Sequence, residues 1–478
     1  MAHLAPPTGQ DYYDPADRWH ALIPIALVSI ASTLNSSVIN VSLPVIAVEL
    51  RAGIGVIDWV IQAYLLATTS LLMISGRLGD LLGRRRIYQS GILVFTVGSA
   101  LCGISGNMTA LIAARVFQGV GAALIISVGP AIIGEIFPPD SRGKALGILG
   151  TTVAVGLSIG PVVGGIITDL LGWRYIFYLN IPFGVLAMIM VSRSLRKDSQ
   201  FTRAPFDVAG AVTMAVGLFC LLLLFSRGND WGWTSPKIIV LAAAAFLCPI
   251  LFIRSERTAA DPILDLTLFS HKTFSSATSA GFLAFTALFT QTFLLPFYLI
   301  DLRGHTTAEA GLFLMAVPLI MALVAPVSGT LSDKVGTKWL CVVGMMIQGI
   351  SFIMLAFLST VSSTLYIVSA LLLTGFGIGM FNPPNNADLL SSVPRNRLGN
   401  ASGMLGLTRT LGMTFGVAVS SLIFVGVRKS ILNSMGLAEA DPLQAPQAFL
   451  GGLHWVFLTG AAISWLAGVM VFRREKRQ

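Results

Sequence analysis

The chain has 478 residues, of which 55% are hydrophobic and 11% charged, against roughly 25% charged in an ordinary soluble domain. With a mean hydropathy of +0.80, this composition excludes a soluble globular protein and points to a polytopic membrane protein. The formal net charge of +9 does not indicate a nucleic-acid partner, because the basic residues fall between apolar runs and are not gathered on one soluble face.

The stretch through Arg18 is polar and carries Asp11, Asp14 and Asp17. It lacks a basic segment leading to a small-residue cleavage site, so no signal peptide is expected and the first span serves as its own signal. A spanning helix needs about 20 mostly apolar residues. That window finds about fourteen spans, the first six at roughly 21–46, 58–77, 87–106, 109–135, 144–168 and 175–193. Two follow at roughly 207–226 and 237–254, and six more at 275–300, 309–331, 338–358, 363–390, 401–427 and 450–472. The polar stretch Lys429–Gln447 is the longest connection on its side and has room for a short surface helix.

Charge orients the spans. The even-numbered connections hold Arg77, Arg84, Arg85, Arg86, Arg142, Lys144, Arg193, Arg196, Lys197, Arg203, Arg254, Arg257, Lys272, Lys334, Lys338, Arg395 and Arg397. The C-terminal tail adds Arg473, Arg474, Lys476 and Arg477, whereas the odd connections hold only Arg51, Arg174, Arg227, Lys237, Arg303, Arg428 and Lys429. Basic residues stay on the cytoplasmic side of a membrane. Both termini are therefore expected in the cytoplasm, with the chain in the inner (cytoplasmic) membrane. Cys102, Cys220, Cys248 and Cys341 lie inside apolar runs without metal-ligand spacing. They read as small buried hydrophobes, and no disulfide, metal or cofactor is expected.

The chain repeats itself. Gly76-Arg77-Leu78-Gly79-Asp80-Leu81-Leu82-Gly83 returns in degraded form as Gly329-Thr330-Leu331-Ser332-Asp333-Lys334-Val335-Gly336. Pro44 is echoed by Pro296, Gly119-Val120-Gly121 by Gly375-Phe376-Gly377, and Phe137-Pro138 by Val393-Pro394. The expected fold is an all-α membrane protein of two six-helix bundles with two inserted helices, divided at residues 1–200, 201–272 and 273–478.

Three motifs then carry a resemblance. The Gly76–Arg86 stretch, Arg115-Val116-Phe117-Gln118-Gly119-Val120-Gly121 and Gly156-Leu157-Ser158-Ile159-Gly160-Pro161-Val162-Val163-Gly164-Gly165 resemble signature motifs of the major facilitator superfamily. Trp173-Arg174-Tyr175-Ile176-Phe177-Tyr178-Leu179-Asn180, Trp231-Gly232-Trp233 and Pro383-Pro384-Asn385-Asn386 look like marks of its fourteen-helix drug:proton antiporter branch. The resemblance implies a monomeric exporter of a small-molecule substrate that works by alternating access in the lipid bilayer, with protons as co-substrate. It also implies that Asp80, Arg84 and Glu135 latch the inner gate, and that the helix bearing Gly156, Gly160, Pro161 and Gly164 closes the outer one. Solvated surface charges and plain glycine packing are the alternatives.

Beside the resemblance stand the residues themselves. Arg115 lies within an apolar run, where insertion costs a few kcal/mol at least, so it needs partners. It serves either proton coupling or structure, with Gln118 one turn away. Asn382, Asn385 and Asn386 flank Pro383-Pro384 and either satisfy freed carbonyls or contact substrate. Asp388 and Arg409 are expected to pair. A central cavity would be lined by Asn35, Gln62, Arg115, Gln118, Gln291 and Asn382, with Phe289 on the same helix as Gln291; packing is the alternative for Phe289.

The chain departs from the branch at one place. Leu34-Asn35-Ser36-Ser37-Val38-Ile39-Asn40-Val41 has Asn35 where an aspartate is usual. An amide cannot take up a proton or neutralise a cation. Asp58, Asp169 and Asp301 read as interfacial. A neutral or anionic metabolite or lipid is therefore the second reading of the substrate. An intramembrane enzyme is disfavoured, because no paired carboxylate or Ser/Lys constellation lies in the apolar runs. A transport-dead sensor would need a soluble domain, and no ATP-binding loop is present.

Overall fold

The computed structural model describes residues 15–196, 207–258, 266–393, 398–437 and 445–474. Asp11, Asp14, Lys197, Arg203, Pro394, Arg395, Arg397, Lys476 and Arg477 lie outside these, so nothing below concerns them.

The described residues form helices and no strands. In chain order they are α1 (Pro15–Glu49), α2 (Ile54–Leu82), α3 (Arg84–Gly103), α4 (Met108–Ile136), α5 (Pro139–Leu171), α6 (Arg174–Tyr178) and α7 (Asn180–Ser194). The inserted pair is α8 (Val208–Trp231) and α9 (Pro236–Thr258). The second half is α10 (Lys272–Phe297), α11 (Thr307–Val335), α12 (Thr337–Ala356), α13 (Thr364–Ser391), α14 (Leu398–Ser434) and α15 (Pro446–Phe472). Eleven of the described spans are long and apolar enough to cross a membrane, and α5 and α8 add shorter apolar stretches. Counting α6 and α7 as one broken span and including α3, the arrangement agrees with the fourteen expected.

Two boundaries differ from expectation for a physical reason. The second span runs on to Leu82, so Arg77 and Asp80 sit in its last turns and Gly83 alone separates α2 from α3. Gly83 turns the chain at φ +100°, a conformation that glycine adopts without a Cβ penalty. Its counterpart Gly336 does the same at φ +86° between α11 and α12, so the repeat read from sequence extends to backbone geometry. The second difference is at α14, which continues to Ser434 and shortens the expected external connection.

Helices α1–α7 pack among themselves, as do α10–α15, and the two sets meet where α5 lies on α11, α2 on α14 and α1 on α10. The inserted α8 packs chiefly on α9 and also touches α2 and α14. Small residues allow these approaches. A Cβ at Gly164 would lie 2.6 Å from the Val38 carbonyl oxygen, and one at Gly160 2.5 Å from Ser37 Oγ, so α5 seats on α1 through its glycine face. Gly412 and Gly416 admit α10 to α14 in the same way, which places Phe285 and Phe289 at a helix seam.

Candidate functional site

Arg115 is fully buried in α4. Its Nε donates to the Val60 carbonyl of α2 at 2.9 Å and its Nη1 to Gln118 Oε1 at 2.5 Å. The guanidinium lies 4.2 Å from the centroid of the Tyr64 ring, a cation–π contact that desolvation strengthens. Gln118 in turn donates from Nε2 to Ser99 Oγ (2.6 Å) and Asn35 Oδ1 (3.2 Å), and Asn180 Nδ2 donates to the same Asn35 oxygen at 3.0 Å. One polar chain thus crosses α2, α4, α3, α1 and α7. Both alternatives for Arg115 have support, since it holds a backbone carbonyl and also orients an amide network. Among the described residues Asn35 Nδ2 and Asn180 Oδ1 are buried and make no well-formed hydrogen bond, Asn35 having the Tyr64 hydroxyl as a further polar neighbour. A buried donor and acceptor left unused in one place call for a ligand or a change of state.

The second bundle carries a plainer version. Thr374 of α13 donates to Gln291 Oε1 of α10 at 2.9 Å and lies 2.5 Å from Ser351 Oγ of α12. Helices α10, α13 and α12 occupy the places of α1, α4 and α3 in the repeat. Leu371 stands where the repeat would place a partner of Arg115.

The expected chamber is not assembled as one open space. Asn35, Gln62, Arg115, Gln118 and Gln291 are all at most 3% exposed, and their contacts described above fall within their own bundles. Gln62 is engaged by Asp58, whose Oδ2 accepts from its Nε2 at 2.7 Å. Asp58 itself is fully buried: α14 covers the start of α2, with Val425 3.6 Å from a Cβ built at Gly55. Asn382 and Asn386 are half-buried, and Phe289 packs against the core. A cavity of about 170 Å³ lies elsewhere, between the inserted pair and the α2–α14 seam, lined by Thr69, Met214, Leu218, Phe252, Leu407 and others.

At the end of the molecule bearing the basic run, Arg84 ties three helices together. It pairs with Asp80 at 2.8 Å and Glu135 at 2.8 Å, and its Nη1 donates to the Ala131 carbonyl at 3.1 Å. Among the described residues these contacts of Arg84 stay inside the first bundle, pinning the ends of α2, α3 and α4. The groups are partly exposed, so each pair stabilises little by itself. Exchanging Asp80 and Arg84 in a double variant is expected to recover transport that each single reversal loses. Equal loss in all three variants, measured by efflux from cells, would count against a paired role.

In the second half the expected Asp388–Arg409 pair is replaced by another. Asp388 accepts from Arg474 Nη1 at 2.7 Å and from the Thr337 hydroxyl at 2.8 Å. Thr337 begins α12 as Arg84 begins α3, so the repeat has lost its arginine there and the tail supplies the cation instead. Arg474 also donates to Ser276 Oγ (3.0 Å) and Asn385 Oδ1 (2.5 Å), while Lys338 Nζ donates to its carbonyl at 3.0 Å. Asn385, with its Nδ2 on the Ala277 carbonyl at 3.0 Å, is the engaged amide of the Pro-Pro-Asn-Asn run. The sequence showed Arg474 only as one more tail charge; its place two residues after the end of α15 gave no sign of burial.

The opposite end is sealed between bundles. Cβ atoms at Gly165 and Gly311 would collide with the Thr307 and Pro161 carbonyl oxygens respectively, so α5 and α11 touch backbone to backbone. Gly165→Leu is expected to prevent this closure and to lower transport about tenfold or more, the factor that 1.4 kcal/mol represents. Efflux at the wild-type rate would show that the approach is dispensable.

The fold has solved counterparts, and the sequence has relatives. A solved bacterial homolog of the human lysosomal transporter Spinster superposes with a TM-score of 0.67 over 96% of this chain and 97% of that one, at 17% identity. The riboflavin transporter RibZ of Clostridioides difficile is 35% identical over 85% of this chain and 88% of its own. The multidrug transporter protein MdtP of Bacillus subtilis is 32% identical over 87% and 76%, and the multidrug resistance protein Stp of Mycobacterium tuberculosis 30% over 88% and 81%. The family model described as Major Facilitator Superfamily matches residues 25–417, and the chain belongs to that superfamily.

Proposed function

We propose that the protein is a secondary transporter that exports small amphipathic or hydrophobic compounds across the cytoplasmic membrane by alternating access. It works as a monomer with both termini inside, and its rocking units are residues 1–200 and 273–478, with 201–272 as the inserted pair. Relatives named as multidrug transporters support the substrate class. The observation that carries the site is the Asn35–Gln118–Arg115 network, with its unused amide donor and acceptor. Those atoms suit a substrate that brings an uncharged polar group on an apolar body.

Alternating access explains why such a network is buried here. Rocking the bundles apart at α1 and α10 exposes the inner faces of both polar clusters to one side of the membrane at a time. Energy is drawn from the proton gradient through a carboxylate outside the Asn35 position. A second reading, export of a neutral or anionic metabolite, draws on Asn35 itself and on the relative named as a riboflavin transporter.

The test is accumulation of a panel of fluorescent amphiphiles in energised cells expressing the chain or an empty vector. Lower accumulation that returns to control on dissipating the proton gradient supports the reading. Equal accumulation of every compound would contradict it.

A further inference from the structure

At the end opposite the basic run, two side chains join the bundles by more than packing: the Thr307 hydroxyl donates to the Gly165 carbonyl at 3.0 Å, and Asp169 reaches back the other way. Asp169, in the last turn of α5, faces the first turn of α11. Its Oδ1 accepts from the Thr307 amide at 3.1 Å and is met by the Thr307 hydroxyl, and its Oδ2 accepts from the Ala308 amide at 2.8 Å. The first amides of any helix have no acceptor within it. Helix α11 solves part of this alone: Thr306 accepts from the Glu309 amide, and Glu309 accepts from the Thr306 amide at 3.1 Å. The amides of Thr307 and Ala308 are left over, and the other bundle supplies their acceptors. A carboxylate there also opposes the positive end of the α11 dipole.

The approach is built for this contact. One turn before Asp169, a Cβ at Gly165 would lie 2.8 Å from Ala308 Cα, so a larger residue would push the carboxylate out of reach. Nearby, His305 and Glu309 bind each other at 3.0 Å and leave Asp169 to the two amides.

We propose that Asp169 is a positioning residue of the transport cycle, a latch that holds the outer gate shut by capping α11 across the bundle interface. The inference rests on the alternating-access reading. Outward opening must break the hydrogen bonds of Asp169 together, and closing must remake them, so the latch sets the balance between the two states.

The test is a distance measurement by pulsed electron paramagnetic resonance on the purified full-length chain, with its four native cysteines replaced. Spin labels go at Leu170 and Leu312, which are 77% and 57% exposed, and a second pair at Leu82 and Val335 reports the basic end. Asp169→Ala is expected to raise the long-distance population at the first pair about tenfold, the size of a lost helix cap, while the second pair shortens. Asp169→Asn keeps one acceptor; it should shift the populations less, and it carries the test where the alanine variant does not purify. Thr306→Ala removes the cap that α11 makes for itself and is expected to leave both distributions unchanged. Unchanged distances in both Asp169 variants, or an equal shift in Thr306→Ala, would overturn the latch. If the distances shift as expected in a protein that exports nothing, the latch stands and the exporter reading falls.

Discussion

Arg115→Ala is expected to abolish export and to lower the thermal stability of the purified protein. The change takes the guanidinium donor from the Val60 carbonyl and from Gln118 Oε1, which keeps only the weak Cys102 thiol at 3.9 Å, and a lost hydrogen bond to a charged group costs about 1.5–3 kcal/mol. It also releases Gln118, which holds Ser99 and Asn35 in place. The sharper variant is Arg115→Lys. Lysine keeps the charge but cannot serve both acceptors while lying flat over Tyr64. Export by Arg115→Lys is expected to fall at least about tenfold, the factor that 1.4 kcal/mol represents, with the substrate concentration for half-maximal rate altered. A lysine variant that transports normally would mean that only the charge matters, and the directional network would lose its role.

The second large effect is expected at Arg474. Its side chain is 3% exposed and that of Asp388 13%. Removing one partner of such a buried pair typically costs about 3–5 kcal/mol, because the other charge stays behind. Arg474→Ala should therefore lower the unfolding midpoint in detergent more than any other tail substitution. Asp388→Asn combined with Arg474→Gln should recover much of the loss, whereas Arg409→Gln added to Asp388→Asn should recover none. Deletion from Arg474 onwards is expected to behave like Arg474→Ala, and deletion from Glu475 onwards to be mild. Recovery through Arg409 would contradict the pairing.

The parts of the fold that were legible in the sequence are those written in long-range statistics of the chain. Apolar windows near 20 residues and the placement of arginines are imposed by the bilayer itself, and the duplicated glycine turns at Gly83 and Gly336 follow from backbone geometry. The site was less legible because its members are set by packing between helices. Gln62 and Asn35 were expected in one chamber, but Gln62 turned out to bind Asp58, and nothing local to α2 reveals that α14 covers it. Ser99 and Tyr64 join the Arg115 network although each is an ordinary small or aromatic residue in its own helix, and Asn180 joins it from the sixth span. One signal could have found Asn180: it is an amide within the sixth apolar span, and an intramembrane amide needs a partner. Arg474 could not have been found this way, since a basic residue after the last span is what membrane topology already demands.

Export by a site whose helix-one position is an amide ties these results together. The most direct test places purified protein in liposomes with a trapped pH indicator and an imposed proton gradient. A lipophilic cation, a neutral amphiphile and an anionic amphiphile are added in parallel, to the wild type and to Asn35→Asp. The wild type is expected to move the neutral amphiphile in a proton-linked way and to respond weakly to the cation, and Asn35→Asp to gain a cation response. A wild type that answers the cation as strongly as Asn35→Asp does would contradict it, because Asn35 would then have no bearing on what the protein carries.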